Sequence, residues 1–217
     1  MSSNYDAMDY WMQLANRLAA DKVEAVKIYL HTLFPRYSEP HRHYHTLDHI
    51  VACIENFRGL CAKPLSERAI EDVELALFFH DVCYNTHAHD NEERSALMLL
   101  GCGASMGLNL DRLDYCADMV RATNHGKHVE LYDDPTKWVL DMDLHSLGAT
   151  PEVFIKMCLG IRQEYSWVPE DAYKAGRAKV MQSFLDRHFI YGTQECRDKW
   201  EEQARINIAG EIRRMQS

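Results

Sequence analysis

The chain reads Leu75-Ala76-Leu77-Phe78-Phe79-His80-Asp81-Val82, a strongly apolar stretch that a His-Asp pair interrupts. The apolar residues predict a buried helix, which we place from Ser66 to Cys83. A carboxylate buried there without a partner would cost on the order of several kcal/mol or would take up a proton. Imidazole and carboxylate groups are standard ligands of divalent metal ions, and an ion would give both side chains a partner. The pair therefore predicts a metal site inside a helical core.

Helical periodicity extends to both sides of this stretch. Tyr10, Leu14 and Leu18 recur at four-residue spacing, and breaks are few because the 217 residues include only ten Gly and six Pro. No alternating run predicts a strand. We predict an all-α fold in one compact domain over residues 1–217, with a core at about 40–150 and closing helices at about 151–215. Four boundaries are specific predictions: a second helix that stops before Pro35, a third from His45 to Leu60, a capping box of Asp90 and Glu93, and a helix from Lys137 to Leu147.

Two further polar clusters lie in predicted helices. His45 and His49 are four residues apart, so on a helix they would project from one face, one turn from each other. Far downstream, Asp141 and Asp143 interrupt another apolar helical run. Each feature alone is weakly informative, whereas their order along the chain, a His, then His-Asp, then a distant Asp, is far more specific.

This order resembles the H…HD…D signature of the HD superfamily of metal-dependent phosphohydrolases. The chain is most similar to the bacterial branch described as predicted HD-superfamily phosphohydrolases. The resemblance implies an HD-domain-like helical bundle whose metal ligands come from separate helices. The segments that carry it are Tyr44-His45-Thr46-Leu47-Asp48-His49, Phe79-His80-Asp81-Val82-Cys83-Tyr84-Asn85, Asn91-Glu92-Glu93-Arg94-Ser95-Ala96 and Asp141-Met142-Asp143-Leu144-His145-Ser146-Leu147-Gly148.

The resemblance also implies roles for single residues. One divalent ion (Mn, Mg, Co, Ni, Fe or Zn) would be held by His49, His80, Asp81 and Asp143. Asp143 fits the last ligand position better than Asp141, which would then be an outer or surface carboxylate. The Tyr-His-x-x-x-His segment is similar to one in cyclic-nucleotide phosphodiesterases, which makes His45 the candidate general acid. Asp81 would also accept a proton from the attacking water.

A second group of residues is expected to bind substrate. Histidine, lysine and arginine suit phosphate oxygens, and guanidinium groups match them bidentately. A carboxylate close to the His-Asp pair would orient water or a ligand histidine. A solvated helix surface or turn explains several of these side chains equally well. The candidates are Glu92, His125, Lys127, Arg162, Tyr165 and Arg177.

Composition limits the class of partner. The formal net charge is −9, which disfavours general nucleic-acid binding. A bound cation can reverse the local field, so a small phosphorylated substrate such as a nucleotide is compatible with this charge. We expect no membrane segment and no signal peptide. The seven cysteines occur singly, which is typical of a reducing compartment such as the cytoplasm.

Two alternative functions remain open at this point. One is an HD-type di-iron oxygenase, although such relatives take two extra histidines from well-separated positions and His125 and His128 are only three residues apart. The other is a nucleotide- or metabolite-binding regulator that keeps the HD fold without catalysis. The intact set of four ligands favours the hydrolase.

Overall fold

The structure, a computed structural model, describes residues 2–61, 65–126 and 131–216, and these contain helices and no strand. The predicted all-α fold is confirmed. Short π-helical turns at Tyr29–Leu33 and Arg197–Glu201 and a 3-10 turn at His145–Gly148 join some of the helices. The α-helices are α1 (Ser2–Arg17), α2 (Lys22–Ile28), α3 (Phe34–Tyr37), α4 (Leu47–Leu60), α5 (Glu67–Phe79), α6 (Asn91–Ser105), α7 (Leu110–Ala122), α8 (Asp134–Asp143), α9 (Pro151–Glu164), α10 (Glu170–Leu185), α11 (Gln194–Cys196) and α12 (Glu202–Gln216).

Helix α5 lies at the centre of the fold. Ser66 caps its first turn by accepting a hydrogen bond from the Ala69 amide, and every residue from position 72 to position 80 is buried. Helices α1, α4, α6, α7 and α8 all pack against it. The ring of Trp11 meets Phe78 edge-on with centroids 5.1 Å apart. Residues 75–79 of α5 are apolar and enclosed on all faces, whereas the buried carboxylates of Asp72 and Glu74 earlier in the helix pair with arginines.

The His-Asp pair follows α5 rather than lying within it, so the predicted extension to Cys83 is wrong. Helix α5 ends at Phe79, and His80 is its C-cap. The buried guanidinium of Arg42 donates to the carbonyl oxygens of Asp81, at 2.7 Å, and Val82, at 3.1 Å. These carbonyl groups are therefore bound by a side chain instead of by a further helical turn.

Three other predicted boundaries are corrected by the structure. The helix expected from Lys137 to Leu147 is α8, which spans Asp134–Asp143 and is followed by the 3-10 turn at His145–Gly148. The π turn at Tyr29–Leu33 continues directly into α3, so the chain stays helical through Pro35. Pro35 lies in the first turn of α3, where its missing N–H group is not needed for a hydrogen bond. Asp90 does precede α6, but its side chain makes no capping bond. Glu93 instead pairs with Arg121 at 2.6 Å.

The C-terminal helices pack onto the same core. A single hydrophobic cluster runs from Ala7 to Ile208, with α10 against α12 and the 3-10 turn against α12. Gly148 lets the 3-10 turn also pack against the π turn at Arg197–Glu201, because a Cβ at this position would collide with Trp200. Among the described residues, no helix is both long enough and apolar enough to span a bilayer.

Candidate metal centre and adjoining cavity

Four donor atoms from three parts of the chain meet at one point. His49 comes from α4, His80 and Asp81 from the turn after α5, and Asp143 from the end of α8. One ligand atom of each lies within 4.8 Å of all the others. The two His Nε2 atoms are 3.3 Å apart, and they lie 3.0–3.8 Å from the Asp81 and Asp143 oxygens.

These separations suit a single metal ion. Ligand atoms about 2.0–2.2 Å from one ion lie roughly 2.8–3.6 Å from each other in octahedral or tetrahedral arrangements. Three of the four His–Asp separations fall in this range, and the fourth, between His49 Nε2 and Asp81 Oδ2, is 3.8 Å. A small adjustment of one side chain would therefore bring all four atoms into coordination.

Within the described part of the chain, the hydrogen bonds around the cluster leave one buried carboxylate oxygen, Asp81 Oδ2, without a partner. Nδ1 of His80 donates to the carbonyl oxygen of Leu77 at 2.9 Å, so that Nε2 is the ring nitrogen that faces the cluster. It lies 3.0 Å from Asp81 Oδ2. An imidazole nitrogen and a carboxylate oxygen this close in a buried site require either a proton on the nitrogen or a metal ion between them.

The electrostatics favour the same conclusion. Burial acts to raise the pKa of Asp143, but hydrogen bonds from His125, His49 and His80 hold it well below its ordinary value. Burial acts to lower the pKa of His80, and the neighbouring Asp81 and Asp143 carboxylates outweigh that effect and raise it. The carboxylates are therefore ionised and attract positive charge, and a metal ion would displace the proton from His80 on binding.

Asp141 faces away from this cluster. It is fully buried and accepts hydrogen bonds from the amides of Gly192 and Thr193 and from the Thr193 hydroxyl, at 2.7–2.8 Å. Its role is to tie α8 to the start of α11. Of the two candidate carboxylates, the structure therefore places Asp143 beside the histidines.

His145 and Cys53 lie behind His49, and sequence reasoning did not assign either of them. The His145 ring stacks on His49 with centroids 5.7 Å apart. The carbonyl oxygen of Met142 accepts from His145 Nδ1 at 2.7 Å and from Cys53 Sγ at 3.3 Å. These two residues and His49 also have ligand atoms within 4.8 Å of one another. However, His145 Nδ1 and Cys53 Sγ already donate hydrogen bonds to the Met142 carbonyl oxygen. We therefore interpret them as packing that holds the His49 ring in place.

His45 is positioned by a carboxylate that the sequence did not reveal. It lies in the loop before α4, not on the predicted helix. Oε1 of the buried Glu164 accepts from the backbone amides of His43, Tyr44 and His45 at 2.8–3.0 Å. Oε2 accepts from His45 Nδ1 at 2.7 Å. The loop can approach α9 this closely because Gly160 has no Cβ. A Cβ at that position would lie only 3.1 Å from the His43 carbonyl oxygen.

His45 keeps its proton more strongly than an exposed histidine. Burial acts to lower its pKa, but Asp81 and the bond to Glu164 outweigh this and raise the pKa. The ring of Tyr84 stacks on it at 4.2 Å, and the Tyr84 hydroxyl donates to Glu164 Oε2 at 2.9 Å. Nδ1 is thus occupied, and Nε2 is the nitrogen left to act in the site.

A cavity of about 570 Å³ opens onto the cluster. Its polar end is formed by His45, Asp81 and Asp143, and its walls come from α9 and α10. The walls are largely apolar and include Leu147, Met157, Ile161, Val180, Met181 and Phe184. The volume is that of a typical small-molecule site.

The cavity includes some of the predicted substrate residues and leaves out others. Glu92, His125, Tyr165 and Arg177 line it. Arg162 does not: its guanidinium closes the turn between α9 and α10 by pairing with Glu170 and donating to the carbonyl oxygens of Tyr165 and Val168. Lys127 and His128 lie outside the described residues.

His125 reaches the metal centre from an unusual backbone conformation. Its φ is 53°, in the left-handed region that non-glycine residues seldom adopt. Arg187 donates to its carbonyl oxygen at 2.9 Å, and its Nε2 donates to Asp143 Oδ2 at 2.9 Å. The strained backbone thus directs the imidazole at the outer oxygen of a predicted metal ligand.

No protein-family model, curated protein or solved structure gives a significant match to the chain.

Proposed function

We propose that this chain is a metal-dependent phosphohydrolase that cleaves a phosphate ester of a nucleotide or a related small metabolite. The observation that carries the proposal is the buried Asp81 Oδ2, which has no hydrogen-bond partner among the described residues. It lies 3.0 Å from His80 Nε2, and Asp81 lines the same cavity as His45. The H…HD…D order of the ligands supports the same assignment.

His49, His80, Asp81 and Asp143 would hold the ion. A divalent ion there offsets charge on phosphoryl oxygens and makes water more acidic. The carboxylate of Asp81 would take up the proton that the attacking water loses. Burial acts to raise the pKa of Asp81, but the charges of His80 and His45 lower it, so the carboxylate is ionised and can bind the ion.

His45 would protonate the leaving oxygen. Glu164 fixes the imidazole through Nδ1, so the proton on Nε2 is the one available to the substrate. The raised pKa of His45 keeps that proton in place near neutral pH until negative charge develops on the leaving group. General-acid catalysis of this kind contributes about 10²–10⁴-fold to the rate.

The test combines metal analysis with a panel of nucleotides and phosphodiesters, assayed with added Mn, Mg, Co, Ni, Fe or Zn. Asp81→Ala should lose both the metal and turnover. Asp48→Ala is the matched control, because Asp48 lies next to His49 in the sequence but is exposed, and it should retain both.

Other outcomes would contradict the proposal. Metal binding that does not change in Asp81→Ala would refute the ligand set. Nucleotide binding without turnover under any metal would favour the non-catalytic regulator. Iron content together with oxygen-dependent turnover would favour the oxygenase.

A further inference from the structure

Two polar groups on α10 face the cavity without a partner. Tyr173 and Arg177 are one helical turn apart, and both line the cavity. The Tyr173 hydroxyl and the Arg177 Nε are buried and make no hydrogen bond within the described residues. Tyr173 as a whole is only 8% exposed. Buried polar groups are almost always hydrogen-bonded. Two unbonded polar groups one helical turn apart in a cavity wall therefore indicate that a ligand supplies their hydrogen-bond partner.

Arg177 also lacks a counter-charge. No ion pair joins it to a carboxylate in the part of the chain that the structure describes, and its closest polar contact is Cys158 Sγ at 3.9 Å. By contrast, the nearby Arg162 is fully engaged with Glu170 and two carbonyl oxygens. Among the described residues that line the cavity, Arg177 is the one with a fixed positive charge, because the other cationic candidates are histidines.

These groups lie far along α10 from the metal centre. Near the end of α10, Phe184 packs edge-on against His125, with ring centroids 5.9 Å apart. Arg177 and Tyr173 are seven and eleven residues before Phe184, which is about 10 Å and about 16 Å along the helix axis. The wall between the two ends is apolar, with Val180 and Met181 on α10. Along α10, the cavity wall therefore runs from these two polar groups through apolar side chains to the helix end that contacts His125.

We propose that Arg177 and Tyr173 bind an anionic group at the far end of the substrate. The substrate class is then a phosphate ester that carries a second anion, a carboxylate or a phosphate, separated from the reacting phosphate by an apolar segment. A guanidinium is a donor only and a phenol hydroxyl can donate beside it, and the uncompensated charge of Arg177 selects an anionic acceptor. The reacting end of this substrate rests on the proposed function; the anion site rests on its own contacts.

The experiment measures binding of unreactive phosphonates to the Mn²⁺-loaded protein by calorimetry. One series consists of alkylphosphonates of increasing chain length, and the others carry a terminal carboxylate or a second phosphonate. The terminal anion should tighten binding by about tenfold or more at one preferred length. Arg177→Met should remove that gain and leave the plain alkylphosphonates unaffected. Comparison of the two anionic series shows which anion the site takes.

Two variants control for changes in folding and charge. Tyr173→Phe removes a single hydroxyl and should reduce the gain by a smaller factor, about threefold. Lys179→Met makes the same change in charge at an exposed position of α10 and should have no effect. A gain that appears at no chain length, or a variant that weakens plain and anionic probes equally, would overturn the anion site.

The same variants separate this inference from the proposed function. Binding of alkyl carboxylates to the metal-free protein, followed by calorimetry, should depend on Arg177 even if no phosphate ester is ever hydrolysed. If the anion site is wrong and the hydrolase is right, Arg177→Met will keep metal-dependent turnover of small phosphate esters and will bind both probe series like the unaltered protein.

Discussion

Asp141 and Asp143 lie two residues apart at the end of α8, yet their surroundings differ completely. Asp141 accepts three hydrogen bonds from Gly192 and Thr193, and burial raises its pKa to about 6. Asp143 is surrounded by imidazoles, and hydrogen bonds from His125, His49 and His80 hold its pKa well below its ordinary value against the effect of burial. Burial alone therefore does not mark a functional carboxylate. Its partners decide whether it fastens the backbone or attracts a cation.

The largest expected effect is on the Asp143 side of this comparison. Asp143→Ala should lower metal affinity by at least about 10³-fold, because loss of a ligand exceeds the 10–100-fold that loss of an outer partner costs. Metal titration followed by calorimetry measures the affinity, and a variant that still binds metal tightly would contradict the ligand assignment.

Asp141→Ala should have the opposite profile. It leaves the buried amides of Gly192 and Thr193 without an acceptor, so the free energy of unfolding should fall by about 3 kcal/mol. Urea denaturation measures this loss, and metal affinity should be retained in the folded variant. A stable Asp141→Ala protein that no longer binds metal would reverse the roles of the two carboxylates.

Glu164 combines both roles, because it accepts from three backbone amides and also from His45. Its bond to His45 is the main cause that lowers its pKa, against burial, from 4.5 to about 2. A carboxylate with a lowered folded-state pKa stabilises the protein fully above pH 4.5 and loses this contribution as pH falls towards 2. We expect a loss of about 3 kcal/mol over that range.

Glu164→Gln should remove this part of the pH dependence, measured by urea denaturation at a series of acidic pH values. The exposed Glu202 provides a control, since Glu202→Gln should leave the profile unchanged. Glu164→Gln should also shift the pH profile of turnover, because His45 loses its ionic partner. Identical acid profiles for Glu164→Gln and the unaltered protein would mean that the carboxylate does not hold the loop.

The smallest effect concerns the histidine that binds the outer oxygen of Asp143. His125→Ala should weaken metal binding by about tenfold, in line with loss of an outer hydrogen-bond partner. His31→Ala alters an exposed histidine and should have no effect in the same titration. A loss as large as that of Asp143→Ala would make His125 a direct ligand and would require a second ion.

The parts of the site that the sequence predicted share a local signal. A polar pair such as His80-Asp81 stands out inside an apolar stretch, and helical periodicity is visible within a few turns. The all-α fold follows from that periodicity. The grouping of His49, His80, Asp81 and Asp143 was predicted from the family resemblance, and the structure brings their ligand atoms together.

The residues that were missed act through distant contacts. Glu164 bonds to a residue 119 positions away in the chain, and nothing in its own neighbourhood indicates this. The end of α5 is likewise set by Arg42, 39 positions before the Asp81 carbonyl group that it binds. Arg162 differs, because its carbonyl partners are only three and six residues away. Its structural role in the turn could therefore have been predicted from the sequence.

If His45 is the general acid that we propose, helix α9 links the fit of a ligand to the delivery of its proton. One side of it, with Met157 and Ile161, forms the cavity wall, while Gly160 and Glu164 hold the loop that carries His45. A molecule too wide for the cavity would push this helix outward and carry the imidazole with it. Such a molecule would bind, but its leaving oxygen would be poorly protonated. Selectivity between substrates would therefore appear as a difference in kcat more than in KM.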